Sequence, residues 1–203
     1  MAEQIIDGTN GSFRAKVDSN NRLHTRSVSS TELSNAVLEG EAYSLSTGVI
    51  ILTSDTESAV FYIEYRGDDP LVIKDISVTA NPSIGGAGDG FVKIVKNPFN
   101  GTIQTNAVAV DINENRNFSS AKSINGNIYK GVEGDTVVGG DNFAITTRDA
   151  GFDGVISFDR APILLKKGNV LAVTFDPATG NTSQTIIVDV NVFVETATVN
   201  GGV

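Results

Sequence analysis

From Tyr43 onward in this 203-residue chain, apolar side chains recur with a period of two, and no segment between them carries the 3.6-residue stripe of an amphipathic helix. The pattern is clearest at 184–195. There Ile186, Val188, Val190, Val192 and Val194 fall on one face and Thr185, Asp189, Asn191 and Glu195 on the other, with Ile187 and Phe193 as exceptions. Such alternation is what a half-buried antiparallel strand requires. Two pairs of runs read as hairpins. Residues 170–175 meet 184–195 across the turn chemistry of Asp176 to Asn181, and 61–65 meet 71–78 across Arg66 to Pro70. Further strands at 43–52, 90–96, 105–112, 124–130, 142–147, 154–158 and 163–165 bring the total to about eleven. Parallel sheets need helical crossovers, and the chain has none to offer. The expectation is an all-β fold over residues 40–203, an antiparallel β-sandwich of jelly-roll type. Phe61, Ile63, Leu171, Val173 and Phe175 should face the 184–195 stripe across the core.

The first 39 residues read differently. A short helix is expected at about 29–39, capped by Ser29, Ser30 or Thr31, carrying Leu33, Val37 and Leu38, and stopped by Gly40. Ahead of it, residues 1–30 are rich in Gly, Asn and Ser and too poor in apolar residues to make a core. They hold Arg14, Lys16, Arg22 and Arg26 against Glu3, Asp7 and Asp18, a net of +1, so that the remainder of a chain of net charge −9 carries −10. Their apolar residues, Ile5, Ile6, Phe13, Val17, Leu23 and Val28, are interleaved with the basic ones. This is the pattern of an arm that becomes ordered on a partner, lying along a neighbour's sheet edge by strand addition. The partner-binding candidates are Ile5, Ile6, Phe13, Arg14, Lys16, Val17, Arg22, Leu23, His24 and Arg26.

Composition removes most chemistry. With no cysteine there are no disulfides, thiolate metal sites or Cys nucleophiles, and one histidine, His24, cannot build a His-rich metal site. The acidic balance argues against nucleic acid as a partner. No apolar run approaches the ~20 residues of a membrane span, and the opening Met1 to Asp7 lacks the basic-then-apolar order of a secretory signal, so synthesis in the cytoplasm is expected. Gly85-Gly86-Ala87-Gly88-Asp89-Gly90 resembles a phosphate loop in composition, but a strand follows it where a helix N-terminus is needed. Asp135, Asp141, Asp149, Asp153 and Asp159 lack the spacing of an EF-hand, leaving calcium at a loop or between subunits as the alternative to solvated acids. Glu64 and Glu195 sit on the polar phase of strands, and His24 has no Gly-x-Ser-x-Gly partner motif. The sequons at Asn10, Asn100, Asn117 and Asn181 follow from composition. Tyr43, Tyr62, Tyr65 and Tyr129 are the residues that a sugar-binding face would use. The reading is a chain without catalytic residues or cofactor, and not an enzyme.

Three segments carry a resemblance: Asp7-Gly8-Thr9 with Arg14-Ala15-Lys16-Val17-Asp18-Ser19-Asn20-Asn21-Arg22-Leu23-His24, then Gly40-Glu41-Ala42-Tyr43-Ser44-Leu45-Ser46-Thr47-Gly48, then Glu57-Ser58-Ala59-Val60-Phe61-Tyr62-Ile63. They resemble the N-terminal part of virion structural proteins of tailed bacteriophages, namely capsid decoration (cement) proteins or head-fibre bases. The likeness covers about the first 80 residues. The run from Pro162 to Leu171 is similar to the end of many viral and bacterial jelly rolls. The resemblance implies a location on the capsid surface of the virion and the major capsid protein as partner. It also implies self-association, with a trimer favoured. A head- or tail-fibre module that binds receptor glycans is the alternative.

Overall fold

The computed structural model describes residues 32–150 and 162–195 in full, and the backbone alone at 16–17, 23–24 and 154–157. The chain divides into two units, Met1–Thr31 and Glu32–Val203. In the first, β1 (Lys16–Val17) and β2 (Leu23–His24) pair antiparallel, Lys16 opposite His24 and Val17 opposite Leu23.

The second unit opens with α1 (Glu32–Glu39), followed by β3 (Ala42–Ser46), β4 (Ile50–Leu52), β5 (Ser58–Tyr65), β6 (Leu71–Ala80) and β7 (Asp89–Lys96). After α2 (Thr102–Asn106) come β8 (Ile112–Asn115), β9 (Gly126–Lys130), β10 (Asp141–Asp149), β11 (Gly154–Ser157), β12 (Ile163–Leu165), β13 (Val170–Asp176) and β14 (Gln184–Val194). One sheet runs β11-β6-β14-β3-β8, with β12 beside β11 on β6 and β4 beside β3 on β14; the other runs β10-β7-β13-β5-β9. Every pairing is antiparallel. Without β8 and β9, the four-strand orders are those of a jelly roll: first and last strands adjacent in one sheet, second and next-to-last adjacent in the other. The all-β antiparallel sandwich expected from the alternation is what the chain forms.

The core lies between the sheets. Ile186, Val188, Val190 and Val192 of β14 are buried with Phe61 and Ile63 of β5 and Leu171, Val173 and Phe175 of β13, the partners expected across the core. Val194, expected with them, is only half-buried at the stripe's end. Phe193 breaks the alternation because its own face is covered. It is 5% exposed and packs with Ala36, Ala42 and Val72, with Leu33 and Val37 of α1 against them. The helix expected at the end of the arm therefore belongs to the body, and its buried residue is Ala36, whereas Leu38 is exposed. On the outside of the second sheet Ile103 of α2 packs in the same way on Ala59, Tyr62, Val95, Val170 and Ala172.

Three local expectations are corrected. Neither hairpin exists: β5 and β6 lie in different sheets, as do β13 and β14, so each turn carries the chain across the sandwich. Turn residues mark a reversal of direction without saying which sheet receives the next strand. The strand expected at 105–112 is instead the end of α2, stopped by Ala107 in the left-handed region (φ 49°), followed by irregular chain. Its alternating Val108, Val110 and Ile112 lie on a segment that touches β9 through the single Ala109–Tyr129 bridge and becomes a strand only at β8. Finally, 43–52 is two strands broken at Gly48, whose positive φ of 64° lets the chain turn between them.

The register yields a stability test. Val190 is fully enclosed, so Val190→Asp buries an unpaired carboxylate and should destabilise the body by about 4 kcal/mol or more. From its place on the polar face of the strand alone, Asn191→Asp would serve as a neutral control. In the structure, however, Asn191 Nδ2 donates to Asp75 Oδ1 (2.8 Å) and Asn191 Oδ1 accepts from Ser44 Oγ (3.2 Å). An aspartate there loses the donor and faces a second carboxylate, at an expected cost of about 1–2 kcal/mol. Urea titrations of both variants check the order; equal stabilities would refute the register.

Candidate functional site

Most side chains with chemical potential are committed to structure. The Gly85–Gly90 loop is pinned through the Ile84–Ser183 and Ala87–Thr179 bridges and runs into β7, so no helix N-terminus is present to receive a phosphate. Asp135 is buried: its carboxylate accepts from Val132 N (2.9 Å) and from Asn106 Nδ2, tying the 132–135 turn to the end of α2. Glu133 accepts from Thr53 N (2.7 Å), Ser54 N (2.6 Å) and Thr53 Oγ1 (2.7 Å), and these bonds hold its carboxyl below the usual range. Among the described residues no three acidic or histidine side chains gather as a metal would need; Asp153 and Asp159 lie outside those residues. Glu64 pairs with Arg66 (3.0 Å) and accepts from Asn127 Nδ2 (2.8 Å), while Glu195 is an exposed strand-end residue.

The tyrosines do not make a sugar platform. Tyr43, Tyr62 and Tyr65 are buried. Tyr43 donates to Gly40 O (3.3 Å), Tyr65 to Asp69 O (2.6 Å), and Tyr62 accepts from Gln104 of α2. Tyr129 stacks on Tyr62 with ring centroids 5.9 Å apart. Burial, with Glu41 and Tyr65 nearby, pushes the Tyr43 hydroxyl up to about 12. Three of the sequon asparagines are similarly engaged: Asn181 donates to Leu52 O and Ser54 O, Asn117 to Leu38 O, and Asn100 Oδ1 accepts from Gly101 N; Asn10 lies outside the described residues.

Two surface features stand out. The first is polar and lies on the outer face of the second sheet. Lys93 of β7 contacts Glu57 (2.6 Å) and Asp176 (4.0 Å), and Glu57 also accepts from Thr174 Oγ1 of β13 (2.6 Å). Grooves of about 240 and 250 Å³ meet at Glu57 and Thr174. Burial works against ionisation of Glu57, but the bonds from Lys93 and Thr174 outweigh it and hold the carboxyl below its ordinary value. Asp176 is pushed up, by burial first and by Glu57 second. With both Glu57 oxygens bonded within the protein, this cluster has the chemistry of a clamp joining β7 and β13 to the residue that precedes β5. The sequence did not single it out, since its members come from three distant segments.

The second is apolar. β10 ends its sheet, and Phe143 and Ile145 on it are 60% and 54% exposed. Beside it a cavity of about 510 Å³ opens between the sheets, lined by Ile94, Phe143, Ile163, Leu165 and Leu171 among others. Residues 142–147 were legible as a strand, but nothing in their spacing told an edge from the middle of a sheet.

Of the arm candidates, the structure describes four, by backbone alone: Lys16, Val17, Leu23 and His24, which the β1–β2 pair brings into register. Ile5, Ile6, Phe13, Arg14, Arg22 and Arg26 lie outside the described residues.

No protein-family model matches the chain, and no curated protein does. Among solved structures, the chain is similar to one from deformed wing virus carrying the GFP gene, at 10% identity over 90% of this chain and 89% of that one, with a TM-score of 0.31. It is also similar to the VP2 protein of infectious bursal disease virus, as its D431N mutant in T=1 particles, at 10% identity over 80% of this chain and 42% of that one, with a TM-score of 0.16.

The clamp reading predicts an acid response. Glu57 titrates lower in the folded chain than its ordinary 4.5, so its contribution is present above that value and is lost as pH falls through the lower folded one. Glu57→Gln should reduce stability at neutral pH by about 1 kcal/mol and flatten the loss of stability below pH ~4.5. Thermal unfolding across pH 2–7 measures both (about five units spanning the carboxylate range). Parallel curves for the two proteins would show that Glu57 carries no linkage.

Proposed function

We propose that this chain is a non-enzymatic virion structural protein, a capsid decoration or cement protein of a tailed bacteriophage that binds the outside of the major capsid shell and stabilises it. The observation that carries this reading is the division of labour along the chain. A mildly basic N-terminal unit, Met1–Thr31, precedes in the chain an acidic jelly-roll body of net charge −10. The body's polar side chains, Glu57, Asp135, Glu133 and the tyrosines among them, are spent on internal bonds, as a display scaffold requires. A paired segment of two residues per strand, as β1 and β2 are, is marginal by itself in water, and a partner strand would stabilise it. The phage identity and the preference for a trimer rest on the resemblance of the first 80 or so residues to decoration proteins. In this reading the protein is made in the host cytoplasm and takes its place on the capsid with the major capsid protein and further copies of itself as partners. The arm is the attachment device, through Ile5, Ile6, Phe13, Arg14, Lys16, Val17, Arg22, Leu23, His24 and Arg26.

Deleting residues 2–28 tests the assignment. The β body should stay folded by circular dichroism while incorporation into particles falls about tenfold or more. A truncated protein that decorates particles as well as the full chain would move attachment to the body. Copy number per virion separates decoration, with hundreds of copies, from a fibre, with at most a few dozen.

A further inference from the structure

A jelly roll closes no barrel, so its sheets end in edges that must be managed. On one side the segment between β7 and β10 does this: it sends β8 to pair with β3 and β9 to pair with β5, so that each sheet ends there in a strand of only four or five residues. On the other side the sheets end at β10 and at the β11 and β12 pair. β11 and β12 are four and three residues long, which is itself a form of protection. β10 has nine residues, spanning about 30 Å at 3.4 Å each, and among the described residues no strand pairs with its outer side.

The composition of β10 is that of a strand built to be paired. It carries neither Lys nor Pro, its charged residues Asp141, Arg148 and Asp149 stand at its two ends, and between them it has three β-branched residues in succession, Ile145, Thr146 and Thr147. Its register against β7 shifts between Asn142 and Ala144, so Phe143 stands out of the ladder. That bulge turns Phe143 to the mouth of the 510 Å³ cavity, where Leu164 of β12 is also exposed. An incoming strand would therefore find backbone partners along β10, apolar contact at Ile145, and a recess for a side chain beside Phe143.

We propose that the outer edge of β10 receives the N-terminal arm of a second copy of this chain as an added strand. The inference rests on the arm's role as an attachment device, and it names what the arm attaches to. Phe13-Arg14-Ala15-Lys16-Val17 alternates apolar and basic residues in strand fashion, and Lys16–Val17 is a strand in the structure. Its cations, two of the four in a segment of net +1, complement a body of net −10 whose β10 begins at the exposed Asp141. A nine-residue edge uses under a third of a 31-residue unit, which leaves length for the arm to leave its own body and reach another. Strand addition gives affinity through the backbone and specificity through alternate side chains.

The absence of cysteine makes a clean test. Purified Ala15→Cys and Thr147→Cys proteins, at micromolar concentration, are mixed and oxidised. The expected product is the mixed disulfide dimer, in excess of either homodimer, and adding Ile145→Lys to the Thr147→Cys chain should lower its yield about tenfold. Thr147 is exposed, so Thr147→Cys should melt with the unsubstituted protein, and the melting of both cysteine variants is checked first. Absence of the mixed dimer, or a dominant Thr147→Cys homodimer showing that two β10 edges pair with each other, overturns the proposal. So does an intramolecular disulfide in the monomeric double variant. Particle binding is scored separately: mixed dimers together with undiminished decoration by the arm-deleted chain would retain the docking and remove the capsid role.

Discussion

The body depends on one contact, the apolar stripe of β14 against the facing stripes of β5 and β13. β14 is central to its sheet, hydrogen-bonded to β6 on one side and to β3 and β4 on the other, so its position sets the registers around it. Ile186, Val188, Val190 and Val192 meet Phe61, Ile63, Leu171, Val173 and Phe175 with almost no exposed area. Each such side chain contributes about 1.5–3 kcal/mol on burial. The outer faces are secondary: α1 and α2 cover small patches around Phe193 and Ile103, which lets otherwise two-faced strands bury residues on both sides.

How much of this was legible in the sequence follows from which interactions are local. Alternation is a property of single strands, and it identified β14, β13, β5 and the facing sets correctly. Pairing is a property of distant segments. Asp176 to Asn181 has every residue a hairpin turn wants, yet the strands it joins belong to opposite sheets, and Arg66 to Pro70 misleads in the same way. Phe193 looked like an error in the pattern because the cause, α1, lies 150 or so residues earlier in the chain. Val108 and Val110 mimicked a strand because alternation in a short irregular segment has no distinguishing mark.

The surface was less legible than the core. The glycine loop, Asp135 and the tyrosines Tyr43, Tyr62 and Tyr65 each have a structural occupation in bonds or burial. The tyrosine hydroxyls could not have been placed beforehand, since Gly40, Asp69 and Gln104 share no spacing rule with them. The Glu57, Lys93 and Thr174 clamp needs three segments to converge. The exposure of Phe143 and Ile145 depends on β10 being last in its sheet, which is a fact of topology.

Because each successive strand from β4 through β7, and again from β12 through β14, crosses to the other sheet, adjacent segments seldom touch and the body is built from contacts between distant parts of the chain. Such topologies fold in milliseconds to seconds. Synthesis imposes a longer delay. β3 emerges at Ala42, yet its neighbour β14 ends at Val194, about 150 residues later. At about 5–20 residues per second, β3 waits roughly eight to thirty seconds on the ribosome for the strand that completes its sheet. Throughout that interval the nascent chain displays Leu45, Ile50 and Leu52 without their central partner. The protein's vulnerable period is thus its own translation, and holding chaperones would act on the strands between β3 and β13.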